Sequence, residues 1–429
     1  MARPSPPNPI GRFLRRFTRG QLLGAVSGLL IILLGIGFWD LIRDDPPVDD
    51  ADLLVQIQPA PAEANGLVML RELGEELIWR PDGSGYPWAL VEDYFFAANP
   101  DGTRDWPEVR KQLAEVEPIL AQVDAIVRAP VFQHPDWHSG DAIYERELHL
   151  VAWRLEALLS ERAKLALKDG DPDAAWEDLL RLLQLAQRLQ GGNLHCRWYS
   201  AGLGLQRIQY RTIEKHALAL APDPTTTRRR TDRLRDFHAN AAEFSRMIKV
   251  SYLIEKIDIA SKTDRYRQKE GLWGQVVFKP NRTTRYLATT FREVLANLER
   301  PPREMRFPSF NAQYQKYQFL SGLVNRHGHS YQGYGFREAL IERHEANLHL
   351  ELIRVVLALA GYANQHGDAL PPRLEDLVPD YLDALPSPSV SGNPIQYDPD
   401  TRTVWSESYN PEQEGNGIVL TILSVPKQG

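Results

Sequence analysis

Residues 20–39 read GQLLGAVSGLLIILLGIGFW, about twenty positions without a charged side chain. At about 1.5 Å of rise per residue such a helix covers roughly 30 Å, the thickness of a bilayer's hydrocarbon core. Arg3, Arg12, Arg15, Arg16 and Arg19 precede the run with no acidic residue among them. Asp40, Asp44, Asp45, Asp49 and Asp50 follow it against a single base, Arg43. This asymmetry predicts a single transmembrane helix over 20–41. The basic tail 1–19 would be cytoplasmic, and the bulk of the chain would lie on the periplasmic side of a bacterial inner membrane. A cleaved signal peptide has a shorter apolar core, about 7–15 residues, followed by a small-x-small site. Residues 39–50, WDLIRDDPPVDD, offer no such site, so the expectation is a retained signal-anchor.

Gly20, Gly24 and Gly28 recur every four residues. That spacing lets two membrane helices approach closely and makes a homodimer through the anchor one reading. The other is that glycine is common in membrane helices. Phe17-Thr18 has a superficial likeness to a prepilin processing site, but Arg16 stands where the cleavage glycine belongs and Gln21 where glutamate belongs. No such processing is expected.

Composition is that of a folded protein, with 43% hydrophobic and 25% charged residues. The net charge of −6 becomes more negative once the N-terminal arginines are set aside, which argues against a nucleic-acid partner. A lone cysteine, Cys196, permits no internal disulfide, and its setting, NLHCRWYS, is neither a redox nor a zinc motif. A buried structural thiol is the expectation.

After the span, residues 42–61 are acidic and proline-rich and read as a stiff linker holding the domain off the membrane. Helical periodicity then dominates residues 62–335, the expected exterior domain. Helices are predicted over 62–77, over 106–127 with Asp105 as cap, and over 194–220, 225–263 and 284–298. The clearest is 141–167. Its Leu148, Val151, Ala152, Leu155, Leu158, Leu159, Ala163 and Ala166 share one face. Lys168-Asp169-Gly170-Asp171 ends it, Pro172 opens the next helix, and Gly191-Gly192 stops that one. Arg228, Arg229, Arg230, Arg233 and Arg235 read as a solvated face, or alternatively as an anion site. Glu147 and Glu156 read as charges along a helix, and residues 272–280 as an apolar loop packed on the domain. From Phe336 a long helix leads to a run rich in proline and leucine, then to short strands at 395–398, 403–406 and 418–423 with Asp398-Pro399-Asp400 as a turn.

Chemistry is sparse. Gly328-His329-Ser330-Tyr331-Gln332-Gly333 has one residue too many for a nucleophile elbow, and no strand leads into it. His327 with His329, and His134 with His138, are weak metal candidates, because neither pair lies in an H-E-x-x-H helix or has an evident third ligand. No phosphate loop occurs. No catalytic residue and no cofactor is therefore assigned.

Two resemblances add to this. The 35 or so residues around Gly170-Asp171 resemble one tetratricopeptide-type hairpin, without a second copy one repeat later. From Leu350 onward, Pro371, Leu374, Leu377, Pro379, Tyr381, Leu382, Leu385, Pro386, Pro388, Gly392, Pro394 and Tyr397 resemble the C-terminal half of type II secretion major pseudopilins. They also resemble a group of uncharacterised membrane-anchored bacterial proteins ending in such a module. The pattern departs at Ser387, which stands alone between Pro386 and Pro388, so the usual aspartate is missing. In pseudopilins the end of this module can hold calcium. The matching stretch here, 405–417, supplies Glu407, Asn410, Glu412, Glu414 and Asn416 but no aspartate, and a solvated turn is the plainer reading.

The expectation is a mainly α protein with a single transmembrane helix, an exterior helical domain with a tetratricopeptide-like hairpin, and a small α+β C-terminal module over 336–429. Its expected role is a scaffold or protein-interaction component docking another envelope protein; the alternative is an anchored periplasmic metal-dependent hydrolase.

Overall fold

The computed structural model describes residues 20, 21, 24, 27–32, 44–78, 106–135, 146–277, 279–298, 300, 304–306, 334–386, 394–406 and 418–422. Over 75–76, 78, 146–150, 262–277, 334–335 and 337 it describes the backbone course alone. The described part is mostly helical with one small sheet. Its main helices are α1 (Gly66–Ile78), α2 (Trp106–Leu120), α3 (Val123–Arg128), α4 (Arg146–Lys168), α5 (Pro172–Leu189), α6 (Cys196–Lys215), α7 (Pro224–Leu234), α8 (Ala241–Val277), α9 (Pro280–Asn297) and α10 (Tyr334–Gln365).

The α4–α5 hairpin is set by its turn. Gly170 has φ +82°, a left-handed conformation that costs glycine nothing. Around it the Asp171 N–H donates to Ala166 O at 2.8 Å and the Gly170 N–H to Leu167 O at 3.2 Å, which together satisfy carbonyls orphaned at the end of α4. Asp171 then caps α5 through the Ala174 N–H at 2.9 Å, with Pro172 in the first turn. The apolar face read from the sequence is the buried one: Val151, Ala152, Leu155, Leu158, Leu159 and Ala163 all lie inside.

Helix α6 crosses α5 at Gly202, where an added Cβ would stand 2.5 Å from Ala186 O. Helix α10 lies against α6 and α7. At Gly361 an added Cβ would stand 2.6 Å from Thr227 Oγ1 of α7. Leu352, Ile353, Val356, Leu359 and Ala360 of α10 join the same core as Leu179 and Leu183 of α5. Among the described residues, Glu338–Gln365 is long and apolar enough to cross a membrane, and 83% of its apolar window is buried inside the protein. Its charges are satisfied by protein: Arg354 donates to Thr231 O at 3.0 Å and Arg343 to Ala239 O at 3.2 Å. It is the core helix of the fold.

Strands β1 (Gln396–Asp398), β2 (Thr403–Ser406) and β3 (Ile418–Thr421) form an antiparallel sheet in that order, with Tyr397 opposite Val404 and Val404 opposite Leu420. Val404 and Leu420 are buried in the core that α10 shares. The Asp398 carboxylate accepts from the Asp400 and Thr401 N–H groups and shapes the turn.

Several expectations are corrected. The helix expected over 225–263 is two, because the chain turns at Arg235–Phe237 and Asn240 accepts from the Ala242 N–H at 2.7 Å at the start of α8. The helix expected over 106–127 breaks after Leu120. Pro118 has no N–H to give, and the Gln122 N–H reaches back only three residues, to Ile119 O. Residues 272–277, expected as a loop, are the last turns of α8.

The arginine run is a solvated face at Arg228, Arg229, Arg233 and Arg235, and Arg230 is the exception. Arg230 is 1% exposed, lies 5.2 Å from the Trp176 ring, and donates to Leu220 O at 2.5 Å, Pro172 O at 3.2 Å and Asp173 at 2.5 Å. Arg228 donates to Pro379 O at 2.6 Å and Arg235 pairs with Asp383. The run joins the hairpin to the C-terminal segment.

Glu156, expected as a plain helix charge, is fully buried. It accepts from Ser160 Oγ at 2.8 Å and Gln209 Nε2 at 3.2 Å, and burial pushes its carboxyl pKa up. The proton is therefore held more tightly in the folded chain. The stability linked to it is greatest below the unfolded value and is lost as pH rises through the folded value. Glu156→Gln is expected to stabilise by on the order of 1 kcal/mol at pH 8, with the gain shrinking toward pH 5, as read by urea unfolding at both pH values.

Candidate functional site

The residues that follow the expected span are not a free spacer. Asp44–Ile57 lies as a strap along α8 and α9. Lys279, at the cap position of α9, provides no side-chain cap. The Asp44 carboxylate does so instead, accepting from the Asn281 N–H at 2.9 Å and the Arg282 N–H at 3.2 Å, across 237 residues of sequence in the first case. A negative charge there also complements the positive end of the helix dipole. Asn281 Nδ2 donates to Asp45 O at 2.8 Å, so the side chain of the Asn281-Arg282-Thr283 sequon is already engaged.

Farther along, Arg285 donates to Pro46 O at 3.0 Å, and Arg292 donates to Asp52 at 2.5 Å and to Asp49 O at 2.7 Å. Exposed pairs of this kind contribute about 0–1 kcal/mol each. The firmer hold is inside. Leu53 is fully buried in a core with Phe244, Tyr252 and Phe291, while Ile57 packs with Val250 and Ile254. Asp50 is buried beneath Tyr252, which donates to it, and Lys256, 2.6 Å away. Burial alone would raise the Asp50 carboxyl, but Lys256 and Tyr252 outweigh it and keep the pKa below the ordinary value.

A second feature is a cleft of about 770 Å³ between the α3 side, including Pro130 and Phe132, the outer face of α5, and the Gly191–Asn193 loop. Gly192 permits this approach: a Cβ there would stand 2.6 Å from Glu243, which accepts the Gly192 N–H at 2.7 Å. The cleft's charges are largely matched. Arg181 bridges Asp124 and Asp178 at 2.7 Å each, holding the Asp124 carboxyl below its ordinary pKa, and Arg188 donates to Val127 O at 2.8 Å. Gln184 and Glu177 line the open face of α5. Tyr199, 1% exposed, closes the back, and its hydroxyl has no hydrogen-bond partner among the described residues. The described lining contains no serine, threonine or cysteine. Its chemistry suits binding of a polar segment.

Of the expected metal residues, His134 is buried beside Gln133, whose backbone is held by Asn65 at 2.7 and 3.2 Å. His138, His327 and His329 lie outside the described residues, as do residues 407–417 of the proposed calcium loop. Among the described residues no three of His, Cys, Asp and Glu group as metal ligands. Gly20, Gly24 and Gly28 lie in a helical stretch where an added Cβ meets nothing within 4 Å.

Cys196 is buried, and its surroundings escaped the sequence reading. Its sulfur lies 3.6 Å from His195 Nδ1, and His195 Nε2 faces Glu255 at 3.2 Å. The order resembles a cysteine–histidine–carboxylate relay, yet Nδ1 accepts the Arg197 N–H at 3.3 Å as the cap of α6. That bond uses the lone pair a base would need. The group is a structural cap, and Glu255 lies too far along the chain, 60 residues on, for spacing to reveal it.

No family model, curated protein or solved structure matches the chain.

Proposed function

We propose that this is a single-pass membrane-anchored scaffold: a helical domain mounted on the outer side of a bacterial inner membrane that docks another envelope protein. The observation that carries it is the Asp44 cap on α9. It fastens the domain five residues beyond the apolar run 20–39. Two further features support the anchor. The described part of that run is helical, and Leu29, Leu30, Ile31 and Ile32 are 57–68% exposed, as apolar side chains facing lipid would be. The open glycine face at Gly20, Gly24 and Gly28 leaves room for a second copy in the membrane.

Docking is supported by the polar cleft along α5 in the tetratricopeptide-like hairpin, and by the C-terminal run that resembles secretion pseudopilins. In this reading α5 and its loops receive an extended segment of the partner, with Arg128 and Gln184 at the mouth.

Two measurements test it. The full chain should stay with membranes through alkaline carbonate extraction, and a C-terminal alkaline phosphatase fusion should be active. Recovery in the soluble fraction, or an inactive fusion, removes the anchor. A photo-crosslinking residue at Gln184 should give one discrete adduct in cells, lost when Gly192→Leu closes the loop. The absence of any adduct removes the docking role.

A further inference from the structure

We propose that the docking cleft selects an extended partner segment by charge, seating a carboxylate on Arg188 at one end and a lysine or arginine on Glu177 at the other. This rests on the reading of α5 as the surface that receives another envelope protein.

The first observation is which charges of the cleft are already spent. Asp124 is shared by Arg181 at 2.7 Å and Arg128 at 3.3 Å, and Arg181 also reaches Asp178 at 2.7 Å. His238 pairs with Glu351, and Glu243 accepts the Gly192 N–H at 2.7 Å. Two charges of the described lining remain. Among the described residues Arg188 has no ion-pair partner, and the side chain of Glu177 has neither an ion pair nor a hydrogen bond.

The second is where these two stand. Both lie on α5, eleven residues apart. Eleven residues make about three helical turns, so the two project from one face, about 16 Å apart along the axis. That is the length of about five residues of extended chain. Gln184 lies between them, and its amide bonds to no other described side chain. It offers a donor and an acceptor to a passing main chain.

The third is how Arg188 is held. Its Nε donates to Val127 O at 2.8 Å. That bond fixes the guanidinium plane and leaves Nη1 and Nη2 side by side, the edge that takes a carboxylate through two parallel hydrogen bonds. Arg188 is half-buried, so water competes less there, whereas Glu177 is exposed. Arg188 therefore holds the segment and Glu177 sets its direction.

The test uses the full chain in cells, with the photo-crosslinking residue at Gln184. Arg188→Glu and, separately, Glu177→Lys should each lower the adduct yield about tenfold. Mass spectrometry of the adduct should find an acidic and a basic residue about five positions apart in the captured segment. Reversing that acidic residue to lysine should restore the adduct of Arg188→Glu. A yield unchanged by either reversal, or a captured segment without such a pair, overturns the charge reading and leaves docking in the cleft standing. The absence of any adduct from the chain with both charges intact overturns the docking and this proposal with it. Glu177→Lys changes an exposed side chain that bonds to nothing described, so it keeps the test decisive should Arg188→Glu fail to fold.

Discussion

Gly202→Val is expected to unfold the helical domain or to lower its stability by about 3 kcal/mol or more. On α6 the missing Cβ would be 2.5 Å from Ala186 O, 2.9 Å from Gln190 Cγ and 3.2 Å from Gln190 N. Two of those three atoms are backbone, one in α5 and one at its C-cap residue, and cannot rotate aside as a side chain would. Valine adds two further methyl groups, so α5 and α6 must separate, and that gap would run through the contacts of Leu179, Leu182 and Leu183, each at most 1% exposed. Overpacking usually costs about 1–3 kcal/mol, and more where backbone opposes it. Gly204→Ala is the control, since its Cβ meets only the edge of the Trp153 ring at 3.2 Å. Urea midpoints of the two variants should differ sharply. A Gly202→Val midpoint equal to that of the control would refute the close crossing.

Acid should unfold the protein in a window set by two histidines of α10. Burial, and then Arg343, brings His344 down to about 4; burial, and then Arg207 and Arg211, brings His349 down to about 4. Both stay neutral in the fold while the unfolded chain takes up protons from about pH 6.5. The unfolded state then binds more protons, so stability falls as pH drops from about 6.5 to 4. The slope is at most about 1.4 kcal/mol per pH unit for each histidine. Below that window the carboxylates held low by partners, such as Asp50 and Glu351, add to the loss. Chemical unfolding at pH 7, 6, 5 and 4.5 should show the decline. His349→Gln should flatten it by about one proton, and an unchanged slope would place that ring in water.

The regular parts of the fold were readable where a local rule governs them. Leu155, Leu159 and Ala163 recur at helical spacing, Gly170-Asp171 carries its own turn chemistry, and the proline-ended strands announce themselves. What escaped was decided by partners distant in sequence. Arg230 looks like one more surface arginine until Leu220 O and Asp173 surround it. Glu156 reads as a helix charge because Gln209 is 53 residues away. The strap was the largest miss. Asp44-Asp45-Pro46-Pro47 has a spacer's composition, and nothing nearby says that Asn281, Arg282 and Arg292 will receive it. The break at Asn240 was hidden in a pattern that is periodic on both sides. The cleft too is built by elements far apart in sequence, and only its glycine pair was visible beforehand.

The strap also sets how the molecule would respond to being pulled. Tension applied from the N-terminal side reaches Asp44 first and must part its two bonds to α9 before it loads Arg292, then Leu53, then the Arg246 contact to Gln56 O. The attachments are strained one after another, as in peeling tape, so modest force would lengthen the tether by a dozen residues while the helical core kept its shape.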